Sequence, residues 1–103
     1  MRQNINGVVG ELDTLPGCSQ VAVSHSVFLE STNRGKGIGK EANELRKDIA
    51  FNQLRYDMMI CTVDSTNQVQ IAILKSNGWI YLTDFRSRKT KHLVELWGCF
   101  HDS

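Results

Sequence analysis

The sequence predicts a mixed α/β fold, in which a central β-sheet carries two main helices within a single domain that spans residues 1–103. Three observations favour this fold class. Apolar extended segments lie before, between and after two segments with helical periodicity. A length of 103 residues fits one domain. The composition is that of an ordinary globular protein, with 41% hydrophobic and 22% charged residues.

The first third of the chain predicts two strands joined by a turn. Val8–Leu12 is predicted to be a short edge strand, and Leu15-Pro16-Gly17 is a strong turn signal. Gln20–Glu30 is rich in β-branched and aromatic residues and predicts a strand inside the sheet. One face of this strand carries Val21, Val23, His25, Val27 and Leu29.

A polar loop, Ser31–Gly37, precedes the first predicted helix, which begins at Ile38 and ends near Leu54. Its predicted buried stripe consists of Ile38, Ala42, Leu45 and Ile49. Its predicted solvent side consists of Glu41, Glu44, Lys47 and Asp48. Glu44 and Lys47 have the spacing of an ion pair on one helix face.

The remainder of the chain predicts a buried strand at Met58–Val63 and a second helix that ends at Asn77-Gly78. Ser65 and Gln68 have the spacing of a capping box. The predicted packed side of this helix consists of Val69, Ala72, Ile73 and Ser76. Trp79–Phe85 and His92–Phe100 predict two further strands, and the element order favours parallel pairing across the first helix.

Charge and cysteine usage argue against several protein classes. A net charge of +1 provides no global field that would attract nucleic acid or an anionic membrane. No segment approaches the roughly 20 apolar residues of a membrane span. The chain has three cysteines, Cys18, Cys61 and Cys99, and no two of them have CxxC spacing. An odd number without this spacing predicts free thiols and no metal site. Free thiols in turn predict a cytoplasmic location.

The loop Arg34–Lys40 predicts a binding site for a diphosphate. It leads into a helix N-terminus, where unpaired backbone N–H groups and the helix dipole attract anions. Its glycines allow close backbone approach, and its cations Arg34, Lys36 and Lys40 add positive charge. The spacing fits neither a Walker A loop, because Glu41 follows Lys40, nor a dinucleotide fingerprint, which requires glycine at position 40.

Arg34, Gly37 and Gly39 instead resemble the Arg/Gln-x-x-Gly-x-Gly/Ala signature of the GNAT acetyltransferases. In that family the loop follows a bulged strand and opens a long helix, and an Asn opens the next helix, which ends in Gly followed by an aromatic residue. Asn67 and Gly78-Trp79 match these positions. The resemblance covers roughly residues 20–100. It implies a GNAT-like sheet that lacks most of the usual N-terminal strand and helices.

The resemblance implies an N-acetyltransferase that uses acetyl-CoA as co-substrate and moves the acetyl group to an amine of a small molecule or protein by direct attack. The implied cofactor-binding residues are Val27, Phe28, Leu29, Arg34, Gly35, Lys36, Gly37, Ile38, Gly39, Lys40 and Asn67. Main-chain groups at 27–29 would pair with the pantetheine arm, and one amide would polarise the thioester carbonyl.

Two departures from the family leave alternatives open. The family's usual general acid, a tyrosine, corresponds to Leu74, which cannot protonate a thiolate. The resemblance makes His25 a candidate base, and a strand histidine that only packs is the simpler interpretation. Little sequence precedes Gln20, so the acceptor site is either open or completed by a second subunit, as in a homodimer. The alternative function is therefore a CoA-binding module without transferase activity that acts through a protein partner.

The turn Arg86–Lys91 contains four basic residues in six. A solvated hairpin tip is the simpler interpretation. A third hypothesis is a nucleic-acid-binding domain that uses this turn with Arg34 and Lys36, and the near-neutral net charge argues against it.

Overall fold

The computed structural model describes residues 1–5, 8–28 and 38–101. In chain order the elements are β1 (Arg2–Ile5), β2 (Val8–Leu15), β3 (Cys18–Phe28), α1 (Ile38–Asp48) with a π-helical turn (Ile49–Gln53), β4 (Met58–Asp64), α2 (Gln68–Ser76), β5 (Ile80–Arg86) and β6 (Leu93–Phe100). The strands form one sheet in the order β1-β2-β3-β4-β6-β5. β3 and β4 are parallel and the other neighbouring pairs are antiparallel. The predicted mixed sheet with two helices is confirmed.

The N-terminal strands differ from the sequence prediction. The strand predicted at Val8–Leu12 is present as β2, but its predicted edge position and its end are wrong. β2 extends to Leu15 and lies inside the sheet between β1 and β3. β1 pairs with the edge of β2 that points away from β3, from Arg2↔Glu11 to Ile5↔Val8. The sequence does not predict β1 because Arg2, Gln3 and Asn4 are neither β-branched nor aromatic.

The family resemblance implies a β-bulge near the end of β3. The described part of β3 contains no bulge there. Pairing between β2 and β3 runs without a shift from Val8↔Phe28 to Thr14↔Ala22. The register shifts at Thr14/Leu15, beside the turn, where Gly17 adopts φ 83°. A positive φ favours glycine at this turn position.

Both helices pack on one face of the sheet, which we call the helix face. The connections β3–α1–β4 and β4–α2–β5 advance across the sheet in the same direction, and right-handed crossovers then place their helices on the same side. Most of the core lies between this face and the helices. Its members are Leu12, Ala22, Ala50, Phe51, Met59, Val63, Ile71, Leu74, Trp79, Trp97 and Cys99. The opposite face, with no helix over it in the described part of the chain, is the outer face.

The buried stripe of α1 differs from the predicted one. Ala42 and Arg46 are buried, whereas Leu45 is exposed. Arg46 fits because Gly10 on β2 has no Cβ: one placed there would lie 2.2 Å from the guanidinium carbon. The Arg46 Nε donates to Gln3 Oε1 at 3.0 Å, and burial lowers the pKa of Arg46. Lys47 does not point to solvent as predicted, because its Nζ donates to the carbonyl of Asn77 at 2.7 Å.

The packed side of α2 also differs from the predicted one. Ile71 and Leu74 are buried, and Val69 is 71% exposed. Asn67 caps the helix in place of Ser65: its side chain accepts from the amide of Gln70 at 3.2 Å. The predicted helix end is confirmed, since Asn77 is the C-cap and Gly78 has φ 80°.

None of the helices in the described ranges has the length and apolar character that crossing a membrane requires.

Candidate functional site

The parallel strands β3 and β4 pair over a very short distance. Their pairing runs from Val21↔Met58 to Val23↔Ile60 only. Beyond this point β3 continues to Phe28 beside β2, and β4 continues to Asp64 beside β6. The backbone groups that residues 24–28 and 61–64 turn toward each other therefore have no strand partner among the described residues. We call this gap the β3–β4 slot.

The β3–β4 slot offers a binding surface for an extended ligand. Unpaired backbone N–H and C=O groups on a strand edge readily bind a further extended chain. Both walls end at the same edge of the sheet because β3 and β4 are parallel. α1 follows the end of β3, and Asn67 with α2 follows the end of β4. Two helix N-termini thus follow the walls in the chain.

The structure describes only part of the predicted cofactor site. Val27 and Phe28 belong to the β3 wall of the slot, and Ile38, Gly39 and Lys40 form the first turn of α1. Leu29, Arg34, Gly35, Lys36 and Gly37 lie outside the described residues. Asn67 is exposed at the start of α2. Its side-chain oxygen is used by the helix cap, so its amide N–H₂ group is the part suited to a ligand oxygen.

His25 and Leu74, the two residues that the family resemblance connects with proton transfer, lie on different sides of the sheet. Ala22 is buried on the helix face, so the odd-numbered His25 belongs to the outer face. His25 is exposed and stands directly opposite Glu11 on β2. Leu74 is only 1% exposed and belongs to the core on the helix face. The His25 side chain is therefore accessible to solvent, whereas the Leu74 side chain is not.

Sequence reasoning did not identify a carboxylate–imidazole pair at the end of the β4 wall. His92 Nδ1 lies 2.7 Å from Asp64 Oδ2. Asp64 Oδ1 accepts from the amide of Thr66 at 2.9 Å and from its hydroxyl at 2.7 Å. The Thr66 amide, the Thr66 hydroxyl and His92 together lower the pKa of Asp64 to about 2. The two partners are 28 positions apart. The only sequence signal is an Asp that ends a buried strand before Ser-Thr-Asn, which indicates a turn but no histidine.

Cys61 lies on the β4 wall just beyond the last β3–β4 pair and packs against the core. Burial, with a smaller effect from Cys99, raises the pKa of Cys61 to about 12. Its thiol therefore stays protonated near neutral pH and is a poor nucleophile. Over the described ranges, no three His, Cys, Asp or Glu side chains cluster as a metal site requires.

No family model matches the sequence, and no curated protein matches it. Solved structures do match the fold. The ribosomal-protein-S5-alanine acetyltransferase from Vibrio fischeri has a TM-score of 0.82 at 14% identity over 92% of this chain and 54% of its own. yncA from Salmonella typhimurium, solved with its cofactor acetyl-CoA, has a TM-score of 0.80 at 14% identity over 93% of this chain and 58% of its own.

A GNAT-family acetyltransferase from Bacillus anthracis has a TM-score of 0.79 at 13% identity, over 90% of this chain and 57% of its own. Across the similar solved structures the chain spans 54% to 65% of their length. At these identities the comparison concerns the fold. The short parallel β3–β4 pair, the two helices on one face and these matches together identify the fold of this chain as that of the GNAT acetyltransferases.

Proposed function

We propose that this chain is an acetyltransferase domain that uses acetyl-CoA to acetylate an amine. The observation that carries the proposal is the β3–β4 slot, in which two parallel strands keep their outer partners but part from each other after Val23↔Ile60. An ordinary sheet would pair residues 24–28 with residues 61–64, because unpaired backbone groups are unfavourable. A slot kept open in this way suits a ligand with its own amides.

The pantetheine arm of acetyl-CoA is such a ligand, because its two amides can pair with a strand edge. Backbone groups of Val27, Phe28 and Leu29 would hold the arm along the β3 wall. The amides of the loop Gly35–Lys40, with Arg34 and Lys36, would hold the pyrophosphate at the start of α1. The Asn67 amide would bind a cofactor oxygen from the β4 side. When bound, acetyl-CoA supplies an acetyl group activated as a thioester.

The residues of this chain would contribute orientation and electrostatics. A backbone N–H at 27–29 directed at the thioester carbonyl would stabilise negative charge as it develops on the oxygen. The amine acceptor, on a small molecule or a protein, would approach from the outer face, where His25 and Glu11 lie opposite each other. A carboxylate there favours an ammonium ion. His25 is the base that the sequence proposes.

The alternative function, a CoA-binding module that acts through a protein partner, is favoured by one observation. The position that carries the general-acid tyrosine in GNAT enzymes is Leu74 here, and a leucine side chain has no proton to donate. The exposed apolar residues Ile80, Phe85 and Phe100 would suit completion of the acceptor site by a second copy of the chain. Sedimentation of the protein with and without acetyl-CoA measures that assembly.

A cytoplasmic location is part of the same proposal.

Calorimetry with acetyl-CoA tests the proposal directly. Charge-assisted hydrogen bonds contribute about 1.5–3 kcal/mol each, so Arg34→Ala and Lys36→Ala should each weaken binding by about 10-fold to 100-fold. Arg88→Ala, an exposed cation on the β5–β6 turn, is the matched control and should leave affinity unchanged. Release of CoA thiol with a panel of amines then separates a transferase from a binding module. Absence of acetyl-CoA binding by the wild-type protein refutes both functions.

A further inference from the structure

We propose that His92, in place of His25, is the base that takes the proton from the acceptor ammonium, and that Asp64 is the residue that positions it. This inference rests on the proposed transferase function. It assigns the proton-transfer role to a residue that lies outside the GNAT-like motif, at the end of the β4 wall of the slot. Leucine at position 74 cannot protonate the thiolate, and in this proposal that proton comes from the acceptor amine itself.

The fold directs this pair toward the outer face of the sheet. Met59 and Val63 are buried on the helix face, so Asp64 belongs to the outer face, as His25 does. β6 runs antiparallel to β4 with Asp64 opposite Val94, which places His92 beside the end of β4. The His92 side chain is 57% exposed. The imidazole is therefore accessible to an acceptor arriving from solvent.

The hydrogen bonds fix the chemistry of the imidazole. Asp64 is a carboxylate at neutral pH, and a carboxylate only accepts hydrogen bonds. Its Oδ1 is occupied by Thr66, and its Oδ2 faces His92 Nδ1. Nδ1 must therefore carry the hydrogen, and the Nε2 lone pair remains to accept a proton. This is the orienting role that a carboxylate performs for histidine in hydrolytic triads.

The other described histidines lack this arrangement. His25 stands opposite Glu11, with no hydrogen bond between their side chains. The ring of His101 contacts the ring of Phe51, with centroids 5.4 Å apart.

Besides Asp64, the charged groups around His92 are those of the turn and of β6. Lys91 precedes His92, and its carbonyl accepts from Arg86 Nη1 at 2.8 Å. Glu95 accepts from the indole of Trp97 at 2.9 Å, on the helix face. Asp64 is thus the one carboxylate among the described residues that hydrogen-bonds His92.

The proposed reaction between an amine acceptor and an acyl-CoA thioester balances in protons and bonds. His92 Nε2 accepts one proton from the acceptor ammonium, directly or through one water, and later releases it to solvent. The freed amine forms the C–N bond to the acetyl carbonyl carbon while the C–S bond breaks. The second amine proton leaves with the sulfur, so the products are the acetylated amine, CoA thiol and the solvent proton.

The experiment compares His92→Gln, Asp64→Asn and the control His101→Gln in the full chain. Loss of a general base lowers turnover by about 10²-fold to 10⁴-fold. We expect kcat/KM of His92→Gln to fall within this range and the acetyl-CoA Kd to change less than about twofold. Asp64→Asn should give a smaller loss, and His101→Gln none. Imidazole added to His92→Gly should restore part of the rate, which a merely structural role would not predict.

The tautomer of His92 can also be measured in the protein without a ligand. Nitrogen-15 NMR of the free protein should show His92 in the Nδ1–H tautomer, and Asp64→Asn should abolish that preference. The Nε2–H tautomer in the wild type overturns the inference. Normal turnover by His92→Gln overturns it and leaves the transferase function intact. Wild-type binding of acetyl-CoA without turnover on any amine also overturns it and supports the binding module, whereas absence of acetyl-CoA binding refutes the proposed function itself.

Discussion

Truncation of Leu74 tests which side of α2 is buried. Leu74 is 1% exposed and packs in the core on the helix face. Replacing a buried leucine with alanine costs about 2–5 kcal/mol, the transfer free energy of the lost methyl groups plus the cavity left behind. A domain of this size has a total stability of about 5–15 kcal/mol, so Leu74→Ala removes a large fraction of it.

The matched control is Val69→Ala on the same helix. Val69 is 71% exposed, so its truncation removes little packing and should change the free energy of unfolding by less than about 0.5 kcal/mol. Alanine also has the higher helix propensity, which offsets part of any loss. The two variants therefore separate the observed packing of α2 from the packing that periodicity predicts, in which Val69 is buried.

Urea denaturation followed by tryptophan fluorescence measures both variants, because Trp79 and Trp97 are buried and become exposed on unfolding. With a urea m-value of about 2 kcal/mol per molar, Leu74→Ala should lower the midpoint by about 1–2.5 M. A loss for Val69→Ala that equals or exceeds the loss for Leu74→Ala refutes the observed orientation of α2.

Three further predictions concern single side chains. Asn67→Ala removes the cap of α2 and should lower the free energy of unfolding by about 1 kcal/mol in urea titrations. Iodoacetamide at pH 8 should modify Cys18 before Cys61 in timed mass spectra, because burial raises the pKa of Cys61 to about 12; equal rates contradict this. The pKa of Asp64, about 2 in the folded state, lies below its ordinary value of 3.8, so its contribution to stability is present above the ordinary value and is lost as the pH falls toward 2. Asp64→Asn should remove that part of the acid dependence in thermal melts between pH 2 and 5; an unchanged dependence contradicts it.

The sequence predicts those elements whose residues match one periodicity. Both helices, the parallel β3–β4 connection and the two C-terminal strands follow from such patterns. β1 is different, because Arg2, Gln3 and Asn4 form a strand only through pairing with β2. A contact between residues far apart in the sequence also explains why the predicted buried stripe of α1 is wrong. Arg46 is buried because Gly10, on a distant strand, leaves space for its guanidinium group.

The candidate site also has one part that local sequence spacing predicts and another part that depends on tertiary structure. The resemblance proposes the loop 34–40 from local spacing, but a local pattern cannot show where two parallel strands part. That depends on the register Val21↔Met58 to Val23↔Ile60, which is a tertiary property. The Asp64–His92 pair is likewise created by antiparallel pairing of β4 with β6. Neither residue belongs to a recognisable sequence motif.

The topology also explains how the β3–β4 slot can remain open. The sheet consists of two antiparallel units, β1-β2-β3 and β4-β6-β5, and the strand pairing that joins them among the described residues is the short β3–β4 pairing. α1 links the two units: Arg46 binds Gln3 on β1, and Asn43 accepts from the indole of Trp79, which leads into β5. Side chains on α1 therefore connect the two units in addition to the short β3–β4 pairing. A site built in this way can admit a ligand between its strands without breaking the pairing within either unit.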